Sequence, residues 1–304
     1  MDLRQLAALV AVAEHGTFSA AADALHTVQS NVSTHVARLE RELGTTLVDR
    51  SAGRLTEEGE LVVARARRVQ AELDALAADV ASLRDEVAGT TRVGVIGTTA
   101  RWLVPALLGA MELRHPKVTV AVLEGNTTSL LPQLAAGRID LGVLNSPAED
   151  PDVVIEPLFD EDLIIVAPLD HPLANVTSLT VRQLADHDLI LPPPGASIRV
   201  DLDRAAAAAG IELRAKAEVD GIRLIASMAF EGYGAAVLPS TAVPRWLKGD
   251  FRLVPIDGLA PRRVGLGRRR RGLPSAPTRA VTEVLREVVH ERAEEKAGVH
   301  PSAS

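Results

Sequence analysis

Between residues 57 and 88 the chain holds no Pro and a single Gly. Seven apolar residues in and around this stretch, Val62, Val69, Leu73, Leu76, Val80, Leu83 and Val87, follow one another at spacings of 7, 4, 3, 4, 3 and 4. That is the a/d seam of a heptad repeat, sustained for more than three heptads. Thr56 suits the N-cap, Glu57 and Glu58 suit the positive helix start, and Gly89 suits the stop. The pattern predicts one helix about 45 Å long at 1.5 Å per residue. An apolar stripe of this length needs cover, either from its own chain or from a second copy. A helix strung between two domains has little of its own chain to lie on, so the spacing predicts a dimer paired along these seven residues.

The 304 residues suggest two or three domains at about 100–200 residues each. Hydrophobic residues are 47% and charged residues 24%, enough to build cores, while aromatics are only 2%. There is no Cys, which excludes a disulfide framework, a Cys-ligated metal or cluster and a thiol redox sensor. No signal-peptide pattern and no run of about 18 apolar residues is present, so the sequence reads as that of a cytoplasmic protein. The net charge of −7 offers no general attraction to nucleic acid, and any DNA-binding claim must rest on local pattern.

Such a pattern occupies residues 1–56. Leu3, Leu6, Leu9, Val10 and Val12 give a first helix an apolar face, ended by His15-Gly16. Thr17 can cap a second helix from Phe18 to Leu25, whose Ala20, Ala21, Ala22 and Ala24 allow close helix approach. Thr27 can cap a third, with Val32, Val36, Leu39 and Leu43 facing inward and Gly44 closing it. Its opposite face carries Gln29, Ser30, Asn31, Ser33, Thr34, His35 and Arg38. Short hydrogen-bonding side chains at a helix start are what base edges in a major groove demand. Arg38, Arg50 and Arg54 stand where a phosphate clamp would sit, the latter two on a small hairpin over residues 47–56. A merely solvated helix face would look similar, and residues 1–56 hold five Arg against six acids.

The stretches Phe18-Ser19-Ala20-Ala21-Ala22-Asp23-Ala24-Leu25-His26, Gln29-Ser30-Asn31-Val32-Ser33, Leu39-Glu40, Glu42-Leu43-Gly44-Thr45-Thr46-Leu47-Val48-Asp49-Arg50 and Leu55-Thr56-Glu57-Glu58-Gly59 resemble the winged helix-turn-helix of LysR-type transcriptional regulators. The resemblance runs on, more loosely, to about residue 290. Val28 stands where the family usually has a capping Ser, and Ser30 where it often has Pro.

From Arg92 onward strand-like and helix-like runs alternate: strands at 92–97, 118–124 and 139–144, then 163–167, 189–191, 215–219 and 235–238, with a return strand at 264–268 and a last helix over 278–291. This predicts parallel sheets with helices on their faces. The resemblance implies a multidomain chain. Residues 1–58 would form the all-α winged helix-turn-helix domain and 59–89 the long linker helix. Residues 91–292 would form a two-lobed α/β effector domain of the type 2 periplasmic-binding-protein kind. Its lobes are expected at 91–161 with 266–292, and at 162–265, with 293–304 as a flexible tail.

In such a fold ligands sit beyond the carboxyl ends of the strands, where helices begin. Those corners hold Thr98, Thr99 and Ala100, then Thr127 and Thr128, then Asn145 and Ser197. Hydroxyls beside helix starts favour a small anionic effector, although each could simply cap its own helix. The glycine pairs at 232/234 and 265/267 lack the context of a dinucleotide site, Arg268–Arg271 reads as a solvated strand end, and the eight His lack metal-site spacing. No catalytic residue, metal or cofactor is therefore expected. The partners implied by the resemblance are promoter or operator DNA, a small-molecule effector, a second copy in a homodimer that can assemble to a homotetramer, and RNA polymerase. The competing reading is a cytoplasmic small-molecule binding module that uses its N-terminal domain only for assembly. An enzyme on the two-lobed fold would need a catalytic constellation that the sequence does not offer.

Overall fold

The computed structural model describes residues 1–82 and 87–302. The chain forms two compact units, Met1–Val80 and a larger one built from most of the remainder.

The first unit contains α1 (Leu3–His15), α2 (Phe18–Ala24), α3 (Gln29–Leu43), a hairpin of β1 (Val48–Asp49) and β2 (Arg54–Leu55), and α4 (Glu57–Ser82). Asp2 caps α1 in a capping box with Gln5, and Gly16 closes it in the left-handed conformation. The Thr17 hydroxyl accepts from the Ala20 N–H, as expected for a cap. The expected Thr27 cap is not made: Val28 is the N-cap of α3 and offers no side-chain bond, while Thr27 Oγ1 instead accepts from Asn31 Nδ2. Leu9, Val36, Leu39 and Leu47 are fully enclosed, with Val63 and Ala66 of α4 closing the core. Thr56 caps α4 by accepting from the Gly59 N–H at 3.0 Å.

Val62, assigned from the sequence to the seam, is half-buried against this core instead. Val69, Leu73, Leu76 and Val80 are exposed in the single chain. Leu83 lies outside the described residues. Val87 packs against the core of the second unit, and Gly89 opens a strand rather than closing a helix.

The second unit holds two sheets. The first contains β3 (Gly89–Ile96), β4 (Val118–Gly125), β5 (Leu141–Ser146), β6 (Val153–Glu161), β13 (Arg262–Arg269) and β14 (Val299–Pro301), in the order β4-β3-β5-β13-β6-β14. The helices α5 (Gly97–Arg114), α6 (Thr127–Ala135) and α9 (Ala276–Glu294) cover it. The second contains β7 (Leu163–Pro168), β8 (Leu179–Thr180), β9 (Asp188–Leu191), β10 (Arg214–Glu218), β11 (Ala235–Pro239) and β12 (Phe251–Asp257), in the order β8-β12-β7-β11-β9-β10. It is covered by α7 (Ser197–Ala208) and α8 (Ile222–Phe230). On β7, Leu163, Ile165 and Ala167 face one core while Ile164 and Val166 face the other. Burial on both faces is why this strand reads as an unbroken apolar run.

The sheets are mixed rather than parallel. β3 pairs parallel with β4 and β5, but β13 runs antiparallel to β5 and β6, and β7 runs antiparallel to β11 and β12. β13 and β7 are the strands through which the chain enters each lobe from the other, so the crossover itself reverses them. The lobe boundary also moves: all of β13 belongs to the first sheet, and the return falls between Asp257 and Arg262, not at residue 266. Residues 293–302 are not a frayed tail. α9 extends to Glu294, β14 pairs with β6, and the Gly298 carbonyl accepts from the Asp162 N–H at 2.8 Å and the Ser240 hydroxyl at 2.9 Å.

A Cβ added at Gly59 would lie 2.0 Å from the Leu47 backbone oxygen. Gly59→Ala should therefore destabilise the first unit by about 3 kcal/mol, read as a lowered urea midpoint, because backbone cannot yield as a side chain can. In the second unit His171 caps the turn at Pro172–Asn175, its Nδ1 accepting from the Leu173 N–H at 3.2 Å. Burial, assisted by neighbouring His187, pushes the His171 pKa below its usual value of 6.5. The unfolded chain then binds the proton more readily, so stability is lost as pH falls from the usual value through the folded one. From about pH 7.5 to about pH 5.5 the melting temperature should fall less in His171→Asn, which still accepts the bond without titrating.

Candidate functional sites

On α3, Gln29, Ser30, Asn31, Thr34 and Arg38 are exposed and Ser33 is half-buried. Without a capping side chain at Val28, the first N–H groups of the helix remain available to an acceptor beyond the chain. Thr34 donates its hydroxyl to the Ser30 carbonyl at 2.7 Å, and Asn31 is oriented by Thr27. His35 departs from this outward group, because it is half-buried and its Nδ1 is enclosed without a hydrogen-bond partner. Arg50 lies 3.6 Å from Glu40 and 5.6 Å above the centre of the Phe18 ring, so the fold already engages it. Arg54 is exposed on the hairpin.

In the second unit a cavity of about 600 Å³ opens between the two sheets. Four helices begin on it: α5 through Gly97 and Thr98, α6 through Thr127 and Thr128, α7 through Ser197 and Ile198, and α8 through Ile222 to Leu224. The N-caps of α5, α7 and α8 are Ile96, Ala196 and Gly221, none of which supplies a side-chain acceptor. Three sets of unsatisfied N–H groups, each at the positive end of a helix, thus converge on one space.

Of the residues expected there, Thr98, Thr127, Thr128, Asn145 and Ser197 line the cavity. Thr99 and Ala100 do not, because they follow the first turn of α5 into the core, where the Thr99 hydroxyl is enclosed and unpartnered. Neither threonine of α6 acts as its cap. Asn126 does so, its Oδ1 accepting from the Ser129 N–H at 2.9 Å and the Thr128 hydroxyl at 2.8 Å. Thr127 Oγ1 instead accepts from the Asn145 N–H at 3.0 Å, leaving Asn145 Oδ1 enclosed without a partner. Arg199 is committed to Asp203, Glu218 and the Pro192 carbonyl, and Arg101 donates to the Ala242 carbonyl.

No motif marked the charged groups that line this cavity. Glu124 of β4 and Arg223 of α8 meet at 2.9 Å. Beneath, Arg262 is 5% exposed and Glu161 is fully buried. Arg262 binds Glu161 through Nε at 2.8 Å and through Nη2, and reaches the Thr98 hydroxyl at 3.2 Å. Glu161 also accepts from the Thr241 N–H and hydroxyl at 3.2 and 2.8 Å. A buried carboxylate holding four donor bonds is neutralised and satisfied, so Arg262 has no net charge to offer a ligand. The glycines of β13 serve packing: a Cβ at Gly265 would lie 2.4 Å from Ile155 Cγ2. Arg268 pairs with Glu156, while Arg269 and Arg270 donate to backbone carbonyls.

Arg262→Ala would leave the buried Glu161 without its cation, held only by Thr241, at a cost of about 3–5 kcal/mol. Thr241→Val removes one neutral donor and should cost about 1–2 kcal/mol, and urea unfolding separates the two.

Residues 3–60 match the family model described as bacterial regulatory helix-turn-helix protein, lysR family, and residues 84–290 match the LysR substrate binding domain. The chain is 35% identical over 302 residues to a probable hydrogen peroxide-inducible genes activator of Streptomyces viridosporus, covering 95% of each. It is 31% identical over 296 residues to the DNA-binding transcriptional dual regulator OxyR of Escherichia coli, covering 96% of each. Among solved structures it is similar to full-length OxyR of Pseudomonas aeruginosa carrying a cysteine-to-aspartate change, with a TM-score of 0.75, 28% identity and coverage of 95% of this chain and 94% of that one. It is also similar to full-length CbnR complexed with its target DNA, with a TM-score of 0.68, 25% identity and coverage of 96% and 100%. Both halves of the chain match one family in one order. Among the described residues no helix is long and apolar enough to cross a membrane. The matched helix-turn-helix also removes the reading of an N-terminal domain that serves assembly alone, and the chain belongs to the LysR family of DNA-binding transcriptional regulators with an effector-binding domain.

Proposed function

We propose that Gln29, Ser30, Asn31, Ser33 and Thr34 read base edges in the major groove while Arg38 and Arg54 hold phosphates on either side. The observation that carries this reading is the exposed polar face of α3 behind an uncapped helix start. His35 and Arg50 are left to the packing of the domain. Two copies pair along Val69, Leu73, Leu76 and Val80, four exposed apolar residues in heptad register on α4. Pairing sets two recognition helices in successive grooves of a palindromic site. The CbnR structure, described as full-length and complexed with target DNA, supports the same use of this architecture. Assembly to a tetramer and contact with RNA polymerase extend this reading. The protein works in the cytoplasm and acts by binding, not by turnover.

The cavity takes a small carboxylate-bearing effector, supported by three uncapped helix starts and the hydroxyl of Ser197. Several relatives are named as hydrogen peroxide-inducible genes activators. This chain has no Cys, so reversible thiol oxidation is not open to it, and ligand occupancy takes that place. The effector biases DNA geometry through a difference in affinity between two arrangements, typically about 1–3 kcal/mol.

DNase footprinting of the full chain on DNA upstream of its own gene, at several salt concentrations, tests the DNA reading. A discrete, salt-sensitive footprint over several helical turns is expected. Diffuse protection by a folded dimer would overturn it at this locus. Gln29→Ala with Ser33→Ala should reduce discrimination between specific and random duplex by about 10- to 100-fold, and unchanged discrimination would remove both residues from base readout. Ser197→Ala should weaken the effector response while leaving DNA affinity intact, as read by the same footprint.

A further inference from the structure

Glu124 and Arg223 both line the effector cavity and come from different lobes, Glu124 from the end of β4 and Arg223 from the first turn of α8. Their side chains are 40% and 53% exposed, so solvent and solutes reach the pair. The bridge lies directly against the start of α5. A Cβ built on Gly97 would fall 3.1 Å from Glu124 Oε1 and 3.7 Å from Arg223 Cγ, so the bridge packs closely against this residue. Gly97 is the first residue of α5, whose N-cap Ile96 offers no acceptor. Arg101, one turn further along α5, is a second guanidinium in the field of Glu124, and its pKa is pushed down by burial and by Arg223 while Glu124 opposes the shift. The Glu124 carboxylate thus sits beside an uncapped helix start and pairs with one guanidinium, Arg223, while Arg101, bound to the Ala242 carbonyl, acts on it only at longer range. These are the features that would recruit a ligand carboxylate.

Building on the carboxylate-effector reading, we propose that Glu124 is an intramolecular stand-in for the effector's acid group, holding Arg223 across the cavity until an incoming carboxylate displaces it and takes Arg223 over. The exchange conserves charge at Arg223, so it costs little to run in either direction. It has two consequences. Glu124 sets the threshold that an anion must exceed, which favours ligands with a second acid group for the remaining helix starts over simple monocarboxylates. Displacement also cuts a direct tie between the lobes, so occupancy alters the link between them. Arg262 cannot play this part because Glu161 already neutralises it.

The test is isothermal titration of the full chain with acetate, succinate and adipate at fixed ionic strength, with circular dichroism verifying each variant's fold. Succinate or adipate should bind the native protein, and Glu124→Gln should bind it about fivefold more tightly, the equivalent of one exposed ion pair. Glu124→Asp keeps the charge on a shorter arm and should gain less, providing a second measure if the glutamine variant folds poorly. In an Arg223→Gln background the substitution at Glu124 should change nothing, a coupling that general destabilisation would not produce. Equal or weaker binding by folded Glu124→Gln would overturn the stand-in and leave the carboxylate reading standing. Failure of all three acids to bind any of the proteins would overturn both.

Discussion

Two short crossings join the lobes of the effector-binding domain, and one buried ion pair ties them together. Glu161 ends β6 and Arg262 begins β13, and the two are cross-strand partners in register. A single residue, Asp162, separates Glu161 from the first strand of the second lobe, while residues 258–261 separate β12 from Arg262. The pair therefore lies where the chain leaves and re-enters the first sheet. Thr241, just after β11, closes it from the second lobe, and Thr98 carries it to the start of α5. Burying two charges is costly, and the arrangement is tolerable only because each carboxylate oxygen has donors. That requirement fixes how β6, β13, α5 and the segment after β11 meet, and so fixes the floor of the cavity.

The walls follow from helix chemistry. α5, α7 and α8 begin at residues without capping side chains, a local loss of about 1 kcal/mol each relative to a good cap. α6, the fourth helix to begin on the cavity, does have a cap in Asn126, and α9 starts without a side-chain cap although it does not line the cavity. In the first unit α1 and α2 are capped by Asp2 and Thr17. In the N-terminal unit α3 likewise starts without a side-chain cap, at Val28.

Much of this architecture was legible in the chain itself. The apolar spacings on α1, α3 and α4 located those helices because each gathers its apolar residues on one face, and Gly16 and Gly44 marked two stops because a left-handed residue is cheapest as glycine. The run Leu163–Ala167 identified a strand buried on both faces. Strands β6, β12 and β14 left no comparable signal. Their apolar residues alternate irregularly with Glu, Arg and Pro, and their partners are distant in sequence. Val62 and Val87 matched the heptad register perfectly yet pack into cores, because register specifies a face of a helix and not what lies against it.

The sequence by itself determined the family, the order of the domains, the exposed polar face of α3, the heptad stripe of α4 and, through the absence of Cys, a chemistry the protein does not perform. These are local patterns within a few turns of chain, and they survive any arrangement of the rest. Only the tertiary structure decided which helix starts share one cavity, that Asn126 and not a threonine caps α6, that Arg262 is spent on Glu161, and that Glu124 meets Arg223. Each of those facts joins residues from 3 to more than 100 positions apart, and competition for a hydrogen-bond or ion partner is settled only when every contender is in reach.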